Sequence, residues 1–202
     1  MPPAKSERPI LWIVAGPNGS GKSNLYENVG IRHFGRFVWI INPDLLAARI
    51  RDVELLELPS ANLEAVKRIE VWLRASIEAH QTIGVETVLS TEKYRPLVLQ
   101  AKSRQFQIRL IYVLLDSPDR NVERVRMRVA KGGHGVPEDK IRERHARSLL
   151  QLPWFLDQAD EAWIFDNSGA AARLIGEKKD GTMSLDPKAL PEIVIAAKKV
   201  AG

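Results

Sequence analysis

The run Gly16-Pro17-Asn18-Gly19-Ser20-Gly21-Lys22-Ser23 matches G-x-x-x-x-G-K-[ST] at every fixed position. No other feature of the chain limits its fold as strongly. Small residues let a backbone wrap around a phosphate, and a helix starting there adds its positive dipole end. Lys22 is then placed to reach the outer phosphates, and the Ser23 hydroxyl to meet Mg²⁺. Average composition produces the fixed positions by chance in about 1% of chains this long. The flanks agree: Ile10–Ala15 is wholly apolar, as a buried strand should be, and a helix is expected from Gly21, fading by Gly30.

The rest of the chain alternates in the same way. Strands are expected at Phe37–Ile41, Ile83–Leu89, Ile108–Leu115 and Ala162–Phe165, each short and mostly apolar. Helices are expected from Pro43 toward Arg51, over Ser60–His80, over Pro96–Phe106, over Pro118–Ala130 and from Pro137 to about Leu150. The alternation predicts an α/β P-loop kinase fold, with a doubly wound, mostly parallel five-stranded sheet and a small helical lid. Residues 1–9 are expected to form a flexible N-terminus, 10–175 the kinase domain with its lid at about 118–150, and 176–202 a C-terminal extension packed on it. That extension reads as a hairpin plus a short helix.

Composition narrows the chemistry. The 202 residues contain no cysteine, which removes disulfides, iron–sulfur clusters and thiolate zinc sites. Four scattered histidines offer no metal-ligand spacing. A formal charge of +5 and a pI near 9.6 favour an anionic partner: a nucleotide, a sugar phosphate or a nucleic acid. No window has the apolar length of a membrane span, and no secretory leader is recognisable, so a cytoplasmic location is expected.

Three acids fall at strand ends, where α/β sheets place reactive groups. Asp44 follows Phe37–Ile41 and is either a general base or merely a first-turn helix acid. Glu86, between Val85 and Thr87 in an apolar strand, needs a cationic partner or Mg²⁺ to offset its burial. Asp116 is either a second Mg²⁺-holding acid or the cap of the following helix. Arg120, Arg124 and Arg128 line one helical face, and Arg142, Arg144 and Arg147 crowd the next helix beyond Gly132-Gly133-His134-Gly135. Two basic helices joined by a glycine turn suit a lid that closes on a phosphoryl group. They also suit two solvated amphipathic helices, or a nucleic-acid backbone, although no aromatic residues interleave with the arginines.

With Ile41-Asn42-Pro43-Asp44, Glu86-Thr87, Arg124-Val125, Arg128-Val129, Gly132-Gly133-His134, Val136-Pro137-Glu138, Arg147-Ser148-Leu149 and Phe165-Asp166-Asn167-Ser168 in view, the chain resembles the zeta toxin family, in its shorter form. The resemblance covers roughly Ile10 to Ser168. It implies a P-loop kinase using ATP or GTP with Mg²⁺, whose acceptor is a small molecule, foremost the 3′-hydroxyl of the nucleotide sugar UDP-N-acetylglucosamine. It also implies a small helical antitoxin as a partner. By this resemblance Gly16–Ser23 and Asn167 hold the nucleotide, and Asp44 is the base. Lys22, Arg128 and Arg144 serve the transfer, Asp44, Glu86, Thr87, Arg124 and His134 contact the acceptor, and Ser23, with Asp116 as a further candidate, binds Mg²⁺. The segment Thr87-Val88-Leu89-Ser90-Thr91 departs from the family's glycine- and threonine-rich pattern. A polynucleotide 5′-hydroxyl kinase and a nucleotide-gated binding module are the alternatives.

Overall fold

The computed structural model describes residues 8–28 and 40–200. The elements run β1 (Ile10–Ala15), α1 (Lys22–Asn28), β2 (Ile40–Ile41), α2 (Pro43–Glu54), α3 (Leu58–Glu78), β3 (Ile83–Thr87) and α4 (Arg95–Ser103). They continue with β4 (Gln107–Leu114), α5 (Pro118–Ala130), α6 (Glu138–Gln158), β5 (Glu161–Asp166), β6 (Arg173–Lys179), β7 (Thr182–Leu185) and α7 (Pro191–Lys198). One sheet holds all seven strands in the order β2-β3-β1-β4-β5-β6-β7. The first five are parallel, and β6 and β7 add to them antiparallel.

The apolar runs explain where the strands lie. Strand β1 is the middle one of the five parallel strands, with Leu11–Ala15 at most 1% exposed, because both its faces are covered. Its odd positions, with Ile108, Leu110, Tyr112 and Leu114 of β4, pack under Ile69 and Leu73 of α3, Val98 of α4, and Phe155 of α6. Its even positions, Trp12 and Val14, turn the other way with Ile111 and Val113 and meet Leu25 of α1. The chain leaves β1, runs out to β2, returns to β3 beside β1, and crosses to β4 on the other side. The loop after β1 therefore emerges where the strand order reverses, the place open α/β sheets use for ligands.

Most expected elements form, with shifts of a residue or a few at their ends. The strand beginning at Ile83 stops at Thr87 rather than Leu89, because the Thr87 hydroxyl accepts the Leu89 N–H at 3.0 Å and turns the chain. Helix α6 runs on to Gln158, straight through Pro153. A proline inside a helix costs about 3 kcal/mol. Burying Leu152, Phe155 and Leu156, each at most 1% exposed, outweighs it at about 1.5–3 kcal/mol per side chain. Trp154 packs edge-on against Phe155 with Arg95 over its ring, consistent with a packing role.

The tail is a hairpin plus a helix, and the hairpin joins the main sheet. Asp180 and Gly181 both have positive φ (50° and 76°), as a two-residue hairpin turn requires. The expected strand residues Phe37, Val38 and Trp39 and the start of the N-terminal segment, residues 1–7, lie outside the described residues. No described helix is long and apolar enough to cross a membrane.

Candidate active site

The loop between β1 and α1 is shaped by crowding. A Cβ on Gly16 (φ 143°) would stand 1.9 Å from the Val113 carbonyl oxygen. One on Gly19 (φ 75°) would meet the Asn121 carbonyl at 2.7 Å, and one on Gly21 (φ 89°) the Asn167 side-chain nitrogen at 2.4 Å. Only glycine satisfies both the conformation and the space. The loop is also tied on three sides. The Gly16 N–H donates to the Thr87 carbonyl at 3.2 Å, Asn121 Nδ2 to the Asn18 carbonyl at 2.7 Å, and Asn167 Nδ2 to the Ser20 carbonyl at 2.8 Å.

Lys22, 7% exposed, folds back so that its Nζ donates to the carbonyls of Gly16 (2.8 Å) and Pro17 (3.1 Å). Burial pulls its pKa below the ordinary lysine value. The carboxylates of Glu86 and Asp44 oppose that pull, and Arg128 adds to it. The ammonium thus sits in a field set by the candidate acids and a candidate arginine. The side-chain oxygens Asn18 Oδ1 and Ser20 Oγ are buried in the loop with no hydrogen-bond partner among the described residues.

A cavity of about 320 Å³ opens beside this loop. Lys22, Asp44, Glu86, Thr87, Arg128 and Arg144 all line it, although they come from five different elements. Asp44 stands in the first turn of α2, whose N-cap Asn42 accepts the N–H groups of Asp44 (2.9 Å) and Leu45 (3.3 Å). The amide of Asn42 in turn donates to Glu86 Oε2 at 3.0 Å, and Ser23 Oγ donates to the same oxygen at 2.9 Å. Glu86 is 9% exposed, and these bonds offset part of its burial cost. Ser23 and Glu86 offer the hard oxygen donors that suit a Mg²⁺ held mainly through phosphates and water. Among the described residues no group of three or more His, Cys, Asp or Glu is arranged to hold a metal unaided. Arg128 leaves Nε and Nη2 buried with no partner among the described residues.

Not every expected residue joins this cavity. Asp116 pairs with Arg120 at 2.9 Å and its N–H donates to Ser168 Oγ, while Ser117, not Asp116, caps α5. Arg124, expected at the acceptor, does not line this cavity and donates to the Asn167 carbonyl at 2.6 Å beside Gly21. His134 lines a second cavity, which also includes Asp44. Of the three crowded arginines, Arg144 and Arg147 line the first cavity and Arg142 pairs with Asp119.

Three participants were not among the expected site residues. Asn42 was legible: an Asn before Pro at a helix start is an N-cap signal. Asn121 and His145 carry no such signal. Asn121 is fully buried, and its Oδ1 faces His145 Nδ1 at 2.9 Å. Since its Nδ2 donates to Asn18, its Oδ1 accepts, and the His145 proton sits on Nδ1. A buried chain of bonds so joins the phosphate loop, α5 and α6.

Comparison with known proteins places this geometry in context. An uncharacterized protein of Haemophilus influenzae is 27% identical over 148 residues, covering 68% of this chain and 99% of that protein. A chain of the AvrRxo1-ORF1:AvrRxo1-ORF2 complex, solved with sulphate ions, superposes with a TM-score of 0.69 at 14% identity; the match covers 96% of this chain and 64% of the other. The same complex has also been solved with ATP, where the TM-score is 0.66. A chain of the PezAT chromosomal toxin-antitoxin system of Streptococcus pneumoniae gives 0.65 at 12% identity, covering 98% and 87% of the two chains. At these identities the structures show a common fold. The sequence model of the AAA domain AAA_33 matches residues 11–150, a stretch that takes in the glycine loop, Asp44, Glu86, α5 and the arginine-bearing part of α6, and the chain belongs to that family.

Proposed function

We propose that this chain is a phosphotransferase that moves the γ-phosphoryl of ATP to a hydroxyl of a small molecule, with the 3′-hydroxyl of UDP-N-acetylglucosamine as the leading acceptor. The observation that carries the reading is Arg128: two buried guanidinium nitrogens without a partner among the described residues, in the same cavity as Lys22 and Asp44. Arg128 is half-buried, but leaving two of its N–H-bearing nitrogens buried and unpaired is costly, and an anion in the cavity relieves that cost. A transferring phosphoryl group spreads negative charge over its equatorial oxygens and needs such a neighbour.

The roles follow from position. The loop's backbone and the start of α1 receive the phosphates, and Lys22 exchanges its two carbonyl contacts for phosphate oxygens. Asp44, in the first turn of α2, accepts the acceptor's hydroxyl proton and aligns the oxygen for in-line attack. Arg128 and Arg144 neutralise charge on the moving group. Helices α5 and the first half of α6 act as the lid. Ser23 and Glu86 hold Mg²⁺, which neutralises phosphate charge when bound. Asn167 and Arg124, beside Gly21, border the nucleotide. A small helical protein covering this cavity is the partner that fits the reading; of the similar structures, one comes from the PezAT toxin-antitoxin system and another from the AvrRxo1-ORF1:AvrRxo1-ORF2 complex.

The arginine helices favour a small acceptor over a nucleic acid. Arg120, Arg142 and Arg147, three of the six arginines of the basic stripe, are each engaged with an acidic residue, so half of the stripe is paired within the protein. The test is incubation with labelled ATP, Mg²⁺ and, in parallel, UDP-N-acetylglucosamine and an oligonucleotide with a free 5′-hydroxyl. Label should pass to the sugar nucleotide. Asp44→Asn should cut that transfer by about 100- to 10,000-fold with nucleotide affinity unchanged. Transfer to the oligonucleotide alone, or full transfer by Asp44→Asn, would defeat the reading.

A further inference from the structure

Two peptide groups of the glycine loop are held by side chains that do not line the cavity beside it. Asn121 Nδ2 takes the Asn18 carbonyl at 2.7 Å, and Asn167 Nδ2 takes the Ser20 carbonyl at 2.8 Å. Neither asparagine lines that cavity, and Asn121 is 0% exposed. A trans peptide is planar, so its C=O and N–H point in opposite directions, and no described peptide is cis. The Asn18 carbonyl is drawn toward α5, which turns the Gly19 N–H the other way, and Gly19 does line the cavity. The Ser20 carbonyl is drawn toward the end of β5, which turns the Gly21 N–H away from β5. The Gly16 and Ser20 N–H groups are already spent on the carbonyls of Thr87 and Pro17, each at 3.2 Å. Those of Gly19 and Gly21 bond to nothing among the described residues.

We infer that Asn121 is a positioning residue for phosphate binding: from behind the loop it aims the Gly19 amide at the phosphates, and His145 holds it in the one orientation that does so. That role rests on the phosphotransferase reading and adds to it what keeps the cradle in shape. Backbone N–H groups turned to one side make a concavity for anions. Lys22 also takes loop carbonyls, those of Gly16 and Pro17, but it gives them up when phosphate arrives. Asn121 and Asn167 keep theirs, so the amides are aimed before the ligand binds and cost no reorganisation.

The orientation of Asn121 is set twice. A carbonyl can only accept, so Nδ2 faces Asn18, and Oδ1 accepts from His145 Nδ1 at 2.9 Å. A carboxamide turned over would set oxygen against the Asn18 carbonyl and N–H against the His145 N–H. Both ends of the side chain therefore bond outside α5. The contact is also close: a Cβ on Gly19 would stand 2.7 Å from the Asn121 carbonyl oxygen, so the α5 backbone rests directly on the loop.

The experiment uses the full chain with Mg²⁺. Calorimetry measures binding of ATP and of inorganic tripolyphosphate, and NMR follows the Gly19 amide resonance as tripolyphosphate is added. Asn121→Asp keeps the shape of the side chain and removes the donor. It should weaken ATP and tripolyphosphate together by about 10- to 100-fold, the loss of one hydrogen bond to a charged group. The Gly19 resonance, moved by tripolyphosphate in the wild type, should cease to respond. A role in stability alone would lower the melting temperature without touching that response. Where Asn121→Asp does not fold, His145 decides. His145→Leu removes the N–H that orients Asn121 and should weaken tripolyphosphate by about fivefold or more, the worth of one neutral hydrogen bond. His145→Asn keeps an N–H at that place and should bind within about twofold of the wild type. Wild-type affinity with an unchanged Gly19 response in a folded Asn121→Asp overturns the inference and leaves the phosphotransferase reading standing. Equal behaviour of His145→Leu and His145→Asn overturns the part given to His145. Failure of the wild-type chain to bind either ATP or tripolyphosphate sinks the phosphotransferase reading itself, and the role of Asn121 with it.

Discussion

The chain has two glycine-rich segments, 16–21 and 132–135, and they use glycine for different reasons. In the first, Gly16, Gly19 and Gly21 all have positive φ and all are hemmed in, chiefly by backbone or a fixed amide 1.9–2.7 Å from where a methyl would stand. In the second, Gly132 has φ 84° but nothing within 4 Å of where its Cβ would be. It ends α5 as a left-handed cap: its N–H donates to the Val129 carbonyl at 2.9 Å and that of Gly133 to the Arg128 carbonyl at 3.0 Å. The first segment is fixed by its surroundings on the sides away from the cavity. The second is held by local hydrogen bonds and by the packing of Gly133 on Arg128, and is open at Gly132. A lid hinge, expected from the glycines as such, would thus have to act around a capped helix end.

The largest effect that tests this contrast is expected from Gly16→Ala. The added methyl meets the Val113 carbonyl and cannot be relieved by a side-chain turn. A loss of about 3 kcal/mol or more in unfolding free energy, with ATP binding abolished, is the expected outcome by denaturant titration and calorimetry. Gly133→Ala comes next. Its clash is with Arg128 Cγ at 2.6 Å and the Arg128 carbonyl at 3.0 Å, so the turn must shift and about 1–2 kcal/mol of stability should be lost, less than in Gly16→Ala. Phosphoryl transfer should fall by about 10- to 100-fold, at or below the loss of a full transition-state donor. If Gly133→Ala unfolds the protein as Gly16→Ala does, the two segments are equally fixed and the contrast fails.

Gly132→Ala should cost about 1 kcal/mol, the penalty of a left-handed conformation in open space, with transfer nearly unchanged. The smallest effect concerns pH. Burial holds His145 below its ordinary pKa, partly opposed by Glu192, so the folded protein keeps the ring neutral. The unfolded chain takes up that proton below about pH 6.5, and stability should therefore decline as pH falls through that value. The decline should end below the folded-state pKa. His145→Asn should flatten the profile between about pH 7 and 5 in thermal unfolding curves. An unchanged slope would detach His145 from the chain of bonds that anchors the first segment.

Much of this was legible along the chain. Glycine spacing announced the tight turn between β1 and α1, apolar runs announced the strands, and Asp44 and Glu86, expected at strand ends, line one cavity beside that turn. Local signals suffice there because each is a short-range demand: a positive φ, a buried strand, a helix start. Thr87 lines the cavity, but the sequence did not mark it as the end of its strand, since the hydroxyl's bond to Leu89 competes with the ladder. The tail's hairpin and helix were also readable, but not their attachment as strands β6 and β7 of the main sheet.

The sequence by itself determined that a glycine loop between a buried strand and a helix would exist here, because steric and hydrogen-bond requirements over eight adjacent residues leave no alternative. Only the tertiary structure decided which distant groups surround it. Arg142, Arg144 and Arg147 are alike in the sequence, yet packing of α6 turns Arg144 and Arg147 into the cavity and Arg142 toward Asp119. Asn121 and His145 became partners for the same reason: burial of α5 and α6 against the loop forces their polar groups to satisfy one another, and no spacing of residues records that in advance.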